Sequence, residues 1–141
     1  MRAAFALGGV LVLALGGSAV AATAKDSTET ALDRCLDSPA GVSTAGMVDC
    51  YAAAAKTYDG RMNRAYAGLM KVLPPAAKAK LQMAQRQWLV FHDAERQARS
   101  ALYTTRQGTM YVPMQVAAES ILIRDRALEL EGHLRVFEIE D

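Results

Sequence analysis

Residues 44–73 read TAGMVDCYAAAAKTYDGRMNRAYAGLMKVL, and Pro74-Pro75 follow them. Met47, Tyr51, Ala54, Tyr58, Met62, Ala65, Leu69 and Leu73 recur at steps of 4-3-4-4-3-4-4. That period puts all eight on one stripe of an α-helix. Ser43 or Thr44 caps its start, because a short hydroxyl side chain can accept from the first free backbone N–H groups. The proline pair ends it, since proline lacks the N–H a continuing helix needs.

The pattern extends outward in both directions. Pro75 suits the first position of a second long helix. Leu81, Ala84, Trp88, Phe91, Ala98 and Leu102 give that helix its stripe, with Glu95 as the polar interruption. It ends between Tyr103 and Gly108, and Thr104 to Pro113 form a loop punctuated by Gly108 and Pro113. A third helix follows from about Pro113 to Phe137, with Met114, Ala117, Ile121, Leu122, Leu128, Leu130 and Leu134 as its apolar surface. Upstream, Asp37 to Gly41 is a break, Ala31 to Leu36 form a short helix, and residues 23–30 are a flexible lead-in. No stretch alternates at strand period. The expected fold is all-α: a small helical bundle of three main helices plus a short N-terminal one, within residues 31–137. The short proline link makes the first two long helices an antiparallel hairpin.

Composition needs one correction before it is informative. The chain has 141 residues, is 52% apolar and carries a formal charge of +1. Residues 1–22 alone hold 16 of the apolar residues. Arg2, the apolar run Ala3–Leu15, and the small residues around Ala19 to Ala24 follow the order of a secretory signal peptide, with cleavage after Ala21, Ala22 or Ala24. The run is shorter than the ~20 residues that span a bilayer. The remaining 119 residues are about 48% apolar, ordinary for a globular domain. Their charge sums to zero, which speaks against nucleic-acid binding. A periplasmic or secreted protein with no stable membrane insertion is expected. In an oxidising compartment Cys35 and Cys50 read as a disulfide.

Charge is unevenly distributed. Residues 61–106 hold nine basic side chains (Arg61, Arg64, Lys71, Lys78, Lys80, Arg86, Arg96, Arg99 and Arg106) against Asp93 and Glu95. The segments on either side are acidic. Either the helices cancel these charges by packing together, the favoured reading, or a basic face awaits an acidic partner.

Little points to catalysis. His92 and His133 have no further ligands at metal spacing. Asp93 and Glu95 diverge on a helix, unlike the facing carboxylates of a glycosidase. Met110 and Met114 could bind cuprous ion, but methionines one turn apart usually fill cores. No catalytic residue, metal or cofactor is expected. The residues that stand out are polar ones set in apolar stripes: Asp59, Asn63 and Tyr66, then Gln85, Arg86, Trp88 and Asp93, then Arg124 and Arg126. The favoured reading is a buried network joining three helices, with Asp59 or Asp93 paired to Arg124 and Asn63 or Gln85 filling gaps. The other is a recognition patch anchored by Trp88 or Tyr66.

The same residues carry a resemblance. Cys35, Met47-Val48-Asp49-Cys50, Tyr58-Asp59-x-x-Met62-Asn63-x-x-Tyr66-x-x-Leu69, Leu81-x-x-Ala84-Gln85-Arg86-x-Trp88-x-x-Phe91-x-Asp93-Ala94-Glu95 and Arg124-x-Arg126 follow in the order of the lysozyme inhibitor LprI-like N-terminal domain family. The resemblance covers about residues 32–134. It implies an exported helical domain and a non-enzymatic protein that binds a protein partner, with a lysozyme the partner proposed for the family's namesake. The alternative is an envelope structural or accessory protein with another partner. The family usually has a second cysteine pair, which would fall at Arg96 and near Ala118. It also tends to have arginine where this chain has His92.

Overall fold

A computed structural model describes residues 25–139. The signal segment expected over residues 1–22 lies outside them, as do residues 23 and 24 of the expected lead-in. Four helices follow in order: α1 (Ser27–Leu36), α2 (Thr44–Val72), α3 (Pro75–Thr104) and α4 (Tyr111–Arg135), closed by a 3-10 turn, Val136–Glu138. Among the described residues there is no strand.

α2 forms as its stripe dictates. Ser43 accepts from the Gly46 N–H at 3.0 Å, and the helix stops one residue before Leu73 and the prolines. Tyr58, Met62, Ala65 and Leu69 are its buried heart, and they meet Ala127 and Leu130 of α4. The rest of the stripe is buried or half-buried. α2 and α4 can approach closely because Gly68 has no side chain; a methyl group there would sit 2.8 Å from Leu134 Cδ2.

α1 begins earlier than the sequence suggested. Residues from Ser27 onward are helical, so the flexible lead-in is confined to fewer residues. The cause is Asp26, whose carboxylate accepts from the Thr28 and Glu29 N–H groups at 2.9 and 3.3 Å. The Cys35–Cys50 disulfide, with Cα atoms 5.7 Å apart, fastens α1 to α2. α4 also starts two residues before Pro113 and gives way to the 3-10 turn at Val136.

α3 is the exception in the bundle: none of its residues is buried. Leu81 and Trp88 reach the core, but Ala84, Phe91, Ala98 and Leu102, the rest of the expected stripe, are exposed. The face turned inward is instead Leu81, Gln85, Trp88, His92, Glu95, Arg99 and Tyr103, which is mostly polar. α3 therefore leans on the α2–α4 pair through long side chains rather than by close backbone packing.

Candidate functional site

Two polar assemblies cross between helices. The first is centred on Arg61, one turn beyond Tyr58 on α2. Arg61 donates from Nε and Nη2 to the two oxygens of Glu131 at 2.8 and 2.7 Å, a fork that matches the carboxylate. Its Nη1 donates to both oxygens of Asp26 at 2.8 and 2.7 Å, and to Thr28 Oγ1 at 3.0 Å. Tyr58 lies under the guanidinium, 5.0 Å from ring centre to Cζ, and donates its hydroxyl to Asp26 at 3.0 Å. Beside it, Arg124 donates to Glu29 at 3.0 Å. This assembly joins α1, α2 and α4, and Glu29, Tyr58 and Arg124 border a cavity of only about 30 Å³.

Its electrostatics follow from the pairing. Burial pushes the Asp26 carboxyl up, but Arg61, Tyr58 and the α1 N–H groups outweigh that and hold it below the usual carboxylate range. Arg61 likewise lowers Glu131. Burial, together with the Asp26 carboxylate, pushes the Tyr58 hydroxyl up to about 12.

The second assembly is the α3–α4 seam. Gln85 accepts from Arg126 Nε at 3.0 Å and donates to the Met62 sulfur at 3.6 Å, so one amide touches three helices. Arg126 also donates from Nη1 to Glu129 at 2.7 Å, and its Nη2 is buried with no partner among the described residues. Further along, Trp88 stacks on His92 with centroids 5.0 Å apart. His92 Nε2 lies 2.5 Å from Glu119 Oε1, within ion-pair range but without hydrogen-bond alignment. Arg99 pairs with the other Glu119 oxygen. The seam opens into a cleft of about 600 Å³ bordered by Arg96, Arg99, Ser100, Gln115, Val116 and Glu119. Just beyond it every residue from Thr104 to Met110 is exposed, and Gly108 takes φ +129° to turn the chain.

The nine polar-stripe residues divide accordingly. Gln85 and Arg126 do meet in the seam, and Trp88 packs against the core and on His92. Tyr66 is half-buried against the core. Arg124 pairs with Glu29 and Asp125, not with Asp59 or Asp93. Asp59 and Asn63 are exposed and bond only to each other, at 3.1 Å. Asp93 is exposed and holds Arg96 and Gln97 of its own helix, and Arg86 is exposed. A network across three helices is present, but not among the three long helices through the pairs expected: it joins α1, α2 and α4 through Asp26, Arg61 and Glu131. Sequence reasoning missed them because they lie 35 and 70 residues apart. The one signal was the charge imbalance between the middle of the chain and its flanks.

Internal pairing consumes only part of that imbalance. Of the nine basic side chains in 61–106, Arg61, Arg96 and Arg99 have carboxylate partners. Arg64, Lys71, Lys78, Lys80, Arg86 and Arg106 have none among the described residues. Met110 and Met114 face solvent rather than filling the core. No three His, Cys, Asp or Glu side chains of the described residues gather as metal ligands.

Comparison with known proteins finds both a family and a similar solved structure. Residues 35–130 match the family model described as lysozyme inhibitor LprI. The structure resembles the crystal structure of an uncharacterised protein from Burkholderia thailandensis, with 32% sequence identity and a TM-score of 0.77. That match covers 82% of this chain and 57% of the other, so this chain spans little more than half of that protein's length. No curated protein matches.

Proposed function

Since the chain belongs to the lysozyme inhibitor LprI family, we propose that it is an exported, non-enzymatic binding protein that acts by occluding a partner's active-site cleft, with a lysozyme the first partner to test. The family match over residues 35–130 carries this reading. No described helix is long and apolar enough to cross a membrane. His92 and Glu95 are tied to the Arg99–Glu119 cluster, and Asp93 is tied to Arg96. Asp93 therefore stands apart from the cluster that holds His92 and Glu95.

The part of the molecule best shaped to enter a cleft is the loop between α3 and α4. It is exposed throughout, it stands at the end of two long helices, and it presents Arg106 without a carboxylate partner among the described residues. A carboxylate-lined cleft would accept that side chain. A lysozyme turbidity assay with the purified protein tests the proposal. Inhibition at micromolar protein is expected, and Arg106→Glu should slow complex formation several-fold, since a rim charge acts mainly on the association rate. Absence of both inhibition and complex would sink it.

One observation favours a second reading. A basic lysozyme is steered best by an acidic surface, whereas most of the unpaired charges on the α2–α3 hairpin are basic, with Asp49 and Asp59 the acidic exceptions. An envelope accessory protein with a different, acidic protein partner accommodates that sign. Co-purification from the envelope, followed by identification of the bound protein, separates the two.

A further inference from the structure

The outward face of α3 is apolar, and no other described residue covers it. Met83, Val90, Phe91 and Leu102 are 57%, 66%, 50% and 59% exposed. Ala94, Ala98 and Ala101 complete the strip between them, and Gln87 is the one polar residue within it. These residues lie opposite the inward face of Leu81, Trp88, His92 and Arg99. An isolated exposed Leu needs no explanation, but a continuous strip along a helix does. From Met83 to Leu102 it runs about 29 Å at 1.5 Å per residue.

Charge identifies what would cover it. Lys80 and Arg86 lie beside the strip, with Lys78 on the same helix and Lys71 just before the proline turn, all without carboxylate partners among the described residues. The acidic residues of α3 are not free: Asp93 holds Arg96 and Gln97, and Glu95 faces Arg99. An apolar strip with unpaired lysine and arginine beside it is the pattern of a helix that lies in a membrane interface. A second copy is the weaker occupant. A strip about 29 Å long and roughly 10 Å wide covers about 300 Å² per partner. That is well short of the ~1,200 Å² total at the lower end of stable interfaces.

We propose that the outward face of α3 is a membrane-surface binding site that lies flat on a bilayer carrying anionic phospholipid headgroups. Val90 and Phe91 enter the headgroup–acyl boundary, and Lys78, Lys80 and Arg86 meet the phosphates. The loop carrying Arg106 stays free at the end of the bundle, so the surface site and the partner-occluding loop are separate.

Vesicle co-sedimentation tests this with protein isolated from the exported fraction, its N-terminus read by mass spectrometry. Binding is expected to vesicles of phosphatidylglycerol mixed with phosphatidylcholine. It should be absent from phosphatidylcholine alone, and raised salt should release it because the headgroup attraction is screened. Val90→Glu combined with Phe91→Glu should weaken it about tenfold or more, and Lys80→Gln or Arg86→Gln about fivefold each. All four positions are exposed, so the variants should melt as the wild type does; Leu102→Glu offers an independent probe of the strip if one of them does not. Equal binding to neutral vesicles overturns the proposal. So does unchanged binding by both Val90→Glu/Phe91→Glu and Leu102→Glu. A lipid-free dimer that these substitutions dissociate would assign the face to a second copy instead.

Discussion

The guanidinium of Arg61 divides its donors between Asp26, before the first helix, and Glu131, near the end of the last. With only 16% of its side chain exposed, it cannot be removed without leaving two half-buried carboxylates facing each other. Breaking such a pair from one side costs about 3 kcal/mol, so Arg61→Leu should lower the melting temperature by about 10 °C or more. Arg61→Lys should recover part of this, since an ammonium cannot fork across both carboxylates. Calorimetry of the three proteins checks the order. The same cluster fixes the pH profile. Asp26 and Glu131 titrate lower in the folded chain than when unfolded, so the stability they contribute is present above their ordinary values. It is lost as pH falls below about 4. Tyr58 has the opposite sign. Its contribution is present below about 10 and is lost as pH rises toward about 12. Melting temperature should therefore be level near neutrality and fall at both ends. Arg61→Leu should flatten the acid limb, and Tyr58→Phe the alkaline one.

Among the elements, α1 depends on attachments more than on its own burial. Only Thr28 of its residues is buried, and the helix is held by the Asp26 cap and the Cys35–Cys50 bridge. Cys35→Ser should cost about 3 kcal/mol under oxidising conditions and nothing further under reducing ones. Equal melting of mutant and wild type without reductant would show the bridge to be idle. On α2 the contrast is with Asp59 and Asn63. Both are exposed, so Asp59→Leu and Asn63→Leu should each change stability by no more than about 0.5 kcal/mol. A larger loss in calorimetry would place them in a contact the fold does not show. The reasons α2 was readable and α3 only partly so are physical. A helix sandwiched against α1 and α4 must bury a complete apolar stripe, and 4-3 spacing reports it directly. α3 turns a mostly polar, half-buried face inward and exposes an apolar one, so its spacing locates the helix but misassigns the inward side. Gln85, Trp88 and Arg126 were legible as members of a contact because each is a polar or aromatic residue at a core-facing register. Arg61, Asp26 and Glu131 were not, because an ion pair between distant residues leaves no local period.

At the scale of the whole molecule the bundle has two tiers. α2 and α4 share the buried core, and α1 is bolted to them by a disulfide and the Arg61 cluster. α3 has no buried residue, and beyond Leu81 and Trp88 it is held by Gln85–Arg126 and by Glu119 with His92 and Arg99. Apolar burial sets the depth of local stability, so α3 should open at a lower free energy than the rest. Native-state hydrogen exchange should show its amides exchanging well before those of α2 near Met62 and α4 near Leu130. The carboxylate of Glu119 is the point where this tier can be loosened alone. Glu119→Gln alters the contacts with Arg99 and His92 at once. It should speed exchange about fivefold from His92 to Thr104, corresponding to about 1 kcal/mol for a partly exposed pair, and leave α2 unchanged. If α3 instead exchanges together with α2 and α4 as one unit, the seam holds the helix as firmly as the core does. The cleft beside Glu119 would then be a fixed surface feature rather than the mouth of a part that moves.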